Sequence, residues 1–164
     1  MLKFLFRRGF ILPVVVTGLV PLLITLFTHA ERGVRWWSLL AGLFLFLVGF
    51  ALLLSTTTLF QVHGGSLAPW NPPKSMVISG PYRYVRNPMI LGIFLMLIGE
   101  AVGLHSRWIG LWFAMFFTGQ QIYILFDEEP ALRHRFGQQY LRYCREVPRW
   151  IPRLTRATLR NSPS

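Results

Sequence analysis

Long uncharged apolar runs alternate with short polar stretches along the chain, and the charges fall almost entirely in the latter. No charged residue lies between Arg8 and Glu31, between Arg35 and Lys74, or between Arg107 and Asp127. Between Arg86 and Arg107 the only charge is Glu100. An uncharged apolar run of about 18 residues or more is long enough to cross a bilayer as a helix. The pattern therefore predicts four spans: Phe10 to Thr28, Trp36 to about Phe60, Met89 to Leu104, and Trp108 to Phe126. The third is short, yet at about 1.5 Å per residue it still covers most of a hydrocarbon core. Trp36, Trp37, Trp108 and Trp112 sit at span ends or within a turn of them, as amphipathic rings at headgroup level do. Beyond the last span, Leu132, Phe136, Tyr140, Tyr143 and Val147 recur every three or four residues, which makes one apolar helix face. Arg133, Arg135, Arg142 and Arg145 occupy its other faces. The predicted fold is an all-α integral membrane protein, with four transmembrane helices plus a C-terminal amphipathic cytoplasmic helix, forming a single domain over residues 1–164. No internal repeat interrupts it.

Composition sharpens this picture. The 164 residues are 53% hydrophobic and only 14% charged, yet the net charge is +11. That excludes a soluble globular domain and a disordered chain, and the single cysteine, Cys144, excludes an internal disulfide. Of the seventeen Lys and Arg residues, only Arg32, Arg35 and Arg107 fall in the outer loops when both termini are placed in the cytoplasm. This is the charge bias of an inward-facing basic side, and it predicts a multi-pass protein, expected in a bacterial inner membrane, with membrane lipids as neighbours. A nucleic-acid partner is not expected, because spans divide the positive charge instead of gathering it on one face. Thr28-His29-Ala30 loosely fits a signal-peptide cleavage site. The run before it exceeds a usual signal h-region, and cleavage would reverse the charge balance, so the first span is expected to remain.

Polar chemistry is confined to two cytoplasmic segments. The first, Gln61 to Pro88, is rich in turn formers, and Pro72-Pro73 denies it a helix. It carries Trp70, Tyr82 and Tyr84, and is expected to form an ordered cap. The second starts at Asp127-Glu128-Glu129-Pro130, where acids stand against the helix macrodipole and need cationic partners. Pro130 removes a donor and is expected to free the carbonyl of Phe126. Either Arg133 and Arg135 answer those acids locally, or Arg83, Arg86 or a cationic ligand does so from across the site. Sequence physics leaves both open. Glu100, an ionisable group inside a span, flanks the Gly99–Gly103 pair and is expected to make a structural hydrogen bond. Gln120 and Gln121 are expected to tie helices together. No His, Cys, Asp or Glu set has metal-ligand spacing, so no metal site is predicted. No G-x-G, P-loop or nucleophile elbow occurs.

Two stretches carry a family resemblance. Gly80-Pro81-Tyr82-Arg83-Tyr84-Val85-Arg86-Asn87-Pro88 is similar to the G-P-Y-R-x-V-R-H-P segment of integral-membrane methyltransferases, the isoprenylcysteine carboxyl methyltransferase and phospholipid N-methyltransferase group. Glu128-Glu129-Pro130, Leu132, Phe136-Gly137, Tyr140, Tyr143 and Arg149-Trp150-Ile151-Pro152 resemble that group's E-E-x-x-L-x-x-x-F-G-x-x-Y-x-x-Y ending and its R-W-I-P close. The resemblance covers roughly residues 61–152. It implies S-adenosylmethionine as methyl donor, bound between the arginine-proline loop and the E-E helix. It also implies a lipophilic acceptor of isoprenoid carboxylate or lipid amine type, entering from the bilayer. Tyr82, Arg83, Arg86, Asn87, Pro88, Glu128 and Glu129 match positions that hold or flank the donor, with Arg86 and Glu129 as catalytic candidates. Asn87 stands where many members have His, and Asn does not titrate near neutrality. Ile90 stands where many have Tyr. Two other readings share the architecture: a nicotinamide-dependent membrane reductase of the sterol and steroid type, and a non-enzymatic helical membrane subunit.

Overall fold

The computed structural model describes residues 11–28, 35–62, 76 and 78–153. Lys3, Arg7, Arg8, Arg32, Lys74, Arg156 and Arg160, and the expected cap around Trp70, lie outside the described residues. Among the described residues all regular structure is helical. Helix α1 is Ile11–Thr28, with a π-helical turn at Val15–Leu19. Helix α2 is Trp36–Val62. A 3-10 turn at Gly80–Arg83 leads to α3, Pro88–Gly103. Helix α4, Arg107–Tyr123, continues through a second π-helical turn at Ile124–Glu128 into α5, Glu129–Glu146. Three stretches are long and apolar enough to cross a membrane: α1, Trp36–Leu59 of α2, and the run from Arg107 through Glu146. The apolar part of that last run ends at Phe126. Helix α3 is a shorter apolar helix.

The helices meet along a seam made by glycine. A Cβ built on Gly42 of α2 would lie 2.4 Å from the Gly99 carbonyl oxygen of α3, and one on Gly49 would lie 2.4 Å from that of Gly92. Two glycines seven residues apart on one helix thus face two glycines seven apart on the other, in reversed order. The two backbones run antiparallel in direct contact. Where lipid competes for apolar surface, such close approach of small residues is the main means of holding helices together. The sequence marked Gly99–Gly103 as the packing pair. Both do pack at the seam: the Cβ built on Gly42 would also lie 2.6 Å from Gly103 Cα.

Two apolar cores follow. The first contains Leu53, Ile93, Met96 and Leu97, with Val16 of α1 and the partly buried Trp112, Phe113 and Phe116 of α4 packed against it. The second lies beyond the apolar part of that last run, on α5. There Tyr140, Tyr143 and Val147 of the predicted apolar face bury against Met76 and Ile78, flanked by Leu132, Phe136 and Cys144. Outward-facing side chains such as Phe27 (81% exposed), Phe44, Met115 and Phe126 are large and apolar, as a lipid-facing surface requires.

Both π-helical turns precede a proline. In the first, the Val20 N–H bonds to the Val15 carbonyl, a five-residue reach. In that register the next carbonyl, Val16, would wait for the donor that Pro21 lacks. Trp112 of α4 fills the gap, donating its indole N–H to the Val16 oxygen at 3.1 Å. Trp112 therefore faces inward as a donor, whereas Trp36 and Trp108 remain exposed near helix ends. Between α3 and α4, His105 takes a positive φ of 49° and Ser106 caps α4, its hydroxyl accepting from the Ile109 N–H at 3.4 Å. Glu100 on α3 is half-buried, and its Oε2 is enclosed without a hydrogen-bond partner. The structural hydrogen bond expected there is not formed by that oxygen. The Gln120 and Gln121 backbone carbonyls accept from the Ile124 N–H.

Candidate functional site

The second π-helical turn sets the geometry of the acidic cluster. The Glu129 N–H bonds back to the Ile124 carbonyl, again five residues away. The donor missing at Pro130 is thereby aimed at Leu125, not at Phe126 as an α-helical register would have it. One residue added to a turn also rotates everything after it by about 100°. Asp127 is left exposed, Glu128 is half-buried, and Glu129 is only 5% exposed.

A buried carboxylate requires compensation, and Glu129 receives it from three arginines. Arg86 Nη1 donates to Glu129 Oε1 at 3.0 Å. Arg149 donates to the same oxygen through Nε at 3.0 Å and Nη2 at 2.8 Å. Arg133 Nη2 stands 3.8 Å from Oε2. Of the two pairings left open by the sequence, the cross-site one dominates through Arg86. The local one contributes only the longer Arg133 contact. Arg83 makes no ion pair with either acid among the described residues, and its Nε is buried without a hydrogen-bond partner.

Arg86 is fixed from several sides. Its Nη1 also donates to Cys144 Sγ at 3.2 Å. Its backbone N–H donates to the Pro148 carbonyl at 2.9 Å. The Arg153 N–H donates to the Tyr84 carbonyl at 3.0 Å, and Arg153 Nη1 reaches the Glu146 carbonyl. The Tyr143 hydroxyl donates to the Tyr82 carbonyl at 2.8 Å. Residues 147–153 thus lie along the 82–88 loop and strap it to α5. Gly137 interrupts α5 with φ +48°, a left-handed value that glycine adopts at little cost. Asn87 precedes α3 without capping it by its side chain, and its carbonyl accepts from the Leu91 N–H at 2.9 Å. Pro88 is fully buried at the first turn of α3.

The strap ends in aromatic packing. The Trp150 ring lies 5.1 Å from that of Phe94 on α3 and 6.1 Å from that of Phe117 on α4. Phe94 also meets Phe113 and Phe116 edge-on. A packed aromatic cluster between α3 and α4 is thus joined to the Glu129 cluster through consecutive residues, Trp150 in the first and Arg149 in the second. Neither Arg149 nor Trp150 stood out beyond the R-W-I-P resemblance. The usable signal was the adjacency of a cation and an amphipathic ring just after a helix that a Val-Pro pair terminates.

Burial shapes the acidity here. Desolvation raises the Glu128 carboxyl above the ordinary range, and the neighbouring Glu129 and Asp127 charges add to this. Burial raises the Tyr82 hydroxyl well above the usual phenol range, helped by Tyr143 and Glu128. Glu128 is thus a carboxylate whose charge would be relieved by a cation. Arg83 Nε, Arg86 Nε and Trp150 Nε1 are buried donors without partners, and the Ser79 hydroxyl is likewise unpartnered. The site offers donors to an anionic group and a carboxylate to a cationic one. Among the described residues no His, Cys, Asp and Glu group could hold a metal ion.

A family model described as phospholipid methyltransferase matches residues 37–139. Protein-S-isoprenylcysteine O-methyltransferase of Homo sapiens is 34% identical over 82 residues, which cover 48% of this chain and 28% of the human protein. The chain thus spans little more than a quarter of the length of that curated relative. No solved structure matches the chain.

Proposed function

The chain belongs to the phospholipid methyltransferase family, and on that premise we propose that it is an S-adenosylmethionine-dependent methyltransferase acting on a lipophilic or membrane-embedded acceptor. The observation that carries this reading is the ion pair between Arg86 of the loop and the buried Glu129 of α5. It joins the two segments whose motifs resemble the family's donor-binding pair. The residues also fit the chemistry of such a donor, a zwitterion with an added positive charge. Buried guanidinium donors of Arg83 and Arg86 suit an amino-acid carboxylate. Glu128, raised in pKa and near Tyr82, suits an ammonium or a pair of hydroxyls.

When bound, S-adenosylmethionine supplies an electrophilic methyl on a positively charged sulfur. The chain's own part is to orient and to exclude water, since methyl transfer between held partners gains most from positioning. Arg86 and Arg149 hold Glu129 rigid, and Glu129 in turn holds the loop against α5. The strap at 147–153 and the aromatic cluster around Phe94 and Trp150 keep water from the junction. In this reading α3 is also a span, the third of four, short but backed by α2, the acidic cluster faces the cytoplasm together with both termini, and the host membrane is a bacterial inner membrane.

Calorimetry of the detergent-solubilised protein with S-adenosylhomocysteine tests the reading directly. Binding that NADPH does not reproduce supports it. No heat at near-millimolar S-adenosylhomocysteine sinks it.

A further inference from the structure

Resting on that methyltransferase reading, we propose that the corner in α5 at Gly137 is a positioning device for the methyl donor: it brings Cys144 and Glu129 onto one nitrogen of Arg86, and so turns the opposite edge of the guanidinium toward the donor's amino-acid carboxylate. Glu129 Oε1 and Cys144 Sγ both accept from Arg86 Nη1, at 3.0 and 3.2 Å. Fifteen positions of α5 separate these two acceptors, and a straight α-helix would carry them about 22 Å apart along its axis. They meet because Gly137 takes φ +48° with ψ −126°, a combination outside the helical and extended regions that glycine alone adopts freely. Space is not what demands glycine there, since a Cβ on Gly137 would meet nothing within 4 Å. The dihedral angles demand it. Beyond the corner, the Tyr143 hydroxyl reaches the Tyr82 carbonyl at 2.8 Å, and Tyr140 hydrogen-bonds the Cys144 sulfur from one turn away.

Two acceptors on one nitrogen fix what the rest of Arg86 can do. A terminal guanidinium nitrogen carries two hydrogens, and the planar fork holds all five donors in a fixed relation. With one Nη1 hydrogen on Glu129 and the other on Cys144, the plane can no longer pivot about a single ion pair. Nε, on the side away from Nη1, is buried and has no partner. Arg83 Nε, on the same loop, is a second buried donor without one. A carboxylate accepts from a guanidinium edge through both of its oxygens, and the methyl donor carries a carboxylate on its amino-acid end. Cys144 is thus a positioning residue, acting on the donor through the direction it gives Arg86. Gly137 is a positioning residue at one further remove, because its corner is what delivers Cys144 to that nitrogen.

Calorimetry on the full chain in detergent tests this with two ligands, S-adenosylhomocysteine and S-adenosyl-3-thiopropylamine, the same molecule without its carboxylate. The parent is expected to prefer S-adenosylhomocysteine. Cys144→Ala frees one Nη1 hydrogen and leaves the Glu129 ion pair in place. It is expected to weaken S-adenosylhomocysteine about tenfold, as for one hydrogen bond to a charged group, and to leave S-adenosyl-3-thiopropylamine unchanged. Cys144→Ser returns an acceptor to the same place and should restore most of the preference. Gly137→Ala strains the corner and should narrow the preference in the same direction. General loosening of the fold would weaken both ligands alike, so the ratio of the two affinities is the readout. The proposal is overturned if Cys144→Ala keeps the parent's ratio, if it weakens both ligands equally, or if Cys144→Ser does no better than Cys144→Ala. It is also overturned if the parent binds the two ligands equally, or if a folded Gly137→Ala keeps the parent's ratio. Failure of the parent to bind S-adenosylhomocysteine instead overturns the methyltransferase reading beneath it.

Discussion

Two helices of this protein carry the same backbone irregularity and put it to different ends. In α1 a π-helical turn runs into Pro21, and in the α4–α5 run another runs into Pro130. In the first, the carbonyl of Val16 is satisfied by Trp112 from a neighbouring helix. In the second, no side chain among the described residues donates to Leu125, and the turn instead rotates Glu129 into a nest of arginines. The first sits mid-way along α1, a helix long and apolar enough to cross a membrane, where an unpaired carbonyl costs several kcal/mol and has to be repaired from within the protein. The second lies at the end of the apolar run, against the charged cluster, where water can serve the backbone and the altered register is free to aim a side chain. Depth decides whether the irregularity is a defect to be repaired or a means of pointing a functional group, in keeping with the frequent occurrence of π-turns at functional sites.

The contrast breaks most visibly at Glu129. Glu129→Ala leaves Arg86 and Arg149 half-enclosed and facing each other without their shared carboxylate. Removing one partner of such a buried pair costs about 3–5 kcal/mol. A large drop in thermal midpoint in detergent is expected, with loss of S-adenosylhomocysteine binding by calorimetry. An unchanged midpoint would show that the arginines do not depend on that acid.

Next in size is Trp112→Phe, which keeps the ring in the core and strands the Val16 carbonyl. A loss of about 1–3 kcal/mol is expected, read by thermal unfolding, with S-adenosylhomocysteine affinity unchanged. Pro21→Ala sharpens this point, because it returns a backbone donor to α1. The double variant should then be less destabilised than the sum of the two single ones, and a double-mutant cycle measures the coupling. Strict additivity would mean that Trp112 is not substituting for the donor that proline lacks.

The smallest effect expected is one of pH. Because burial and acidic neighbours raise the Glu128 carboxyl, its protonated form is favoured in the fold. Its stability contribution is present at acid pH, below the ordinary Glu value near 4.3, and is lost as pH rises through the raised folded-state value. Binding of an ammonium-bearing ligand runs the other way and gains by no more than about tenfold per unit over that window. Glu128→Gln should flatten both trends, as seen by calorimetry and melting at matched pH values.

Much of this was visible in the chain itself. Charge gaps located the helices closely, from Trp36 at the start of α2 to the turn before Arg107. The spacing of Tyr140, Tyr143 and Val147 marked the face that buries in the second core, since helical periodicity survives any tertiary arrangement. The Arg86–Glu129 encounter was one of two open pairings. Only the fold selects it, because 43 residues separate the partners. Arg149 was invisible as a third partner because the strap that brings it back owes its path to backbone bonds such as Arg86 N–H to Pro148. The π-helical registers were equally hidden. A proline predicts a missing donor but not which carbonyl it abandons, and in α1 the answer depends on a tryptophan ninety-six residues away.

The glycine seam between α2 and α3 has a mechanical consequence. With carbonyl oxygens where side chains would otherwise stand, neither helix can slip past the other by even one residue without a backbone collision. The pair is therefore locked in register along its length. Gly110 and Gly119 of α4, by contrast, meet nothing within 4 Å, and make no such interlock with a neighbouring helix.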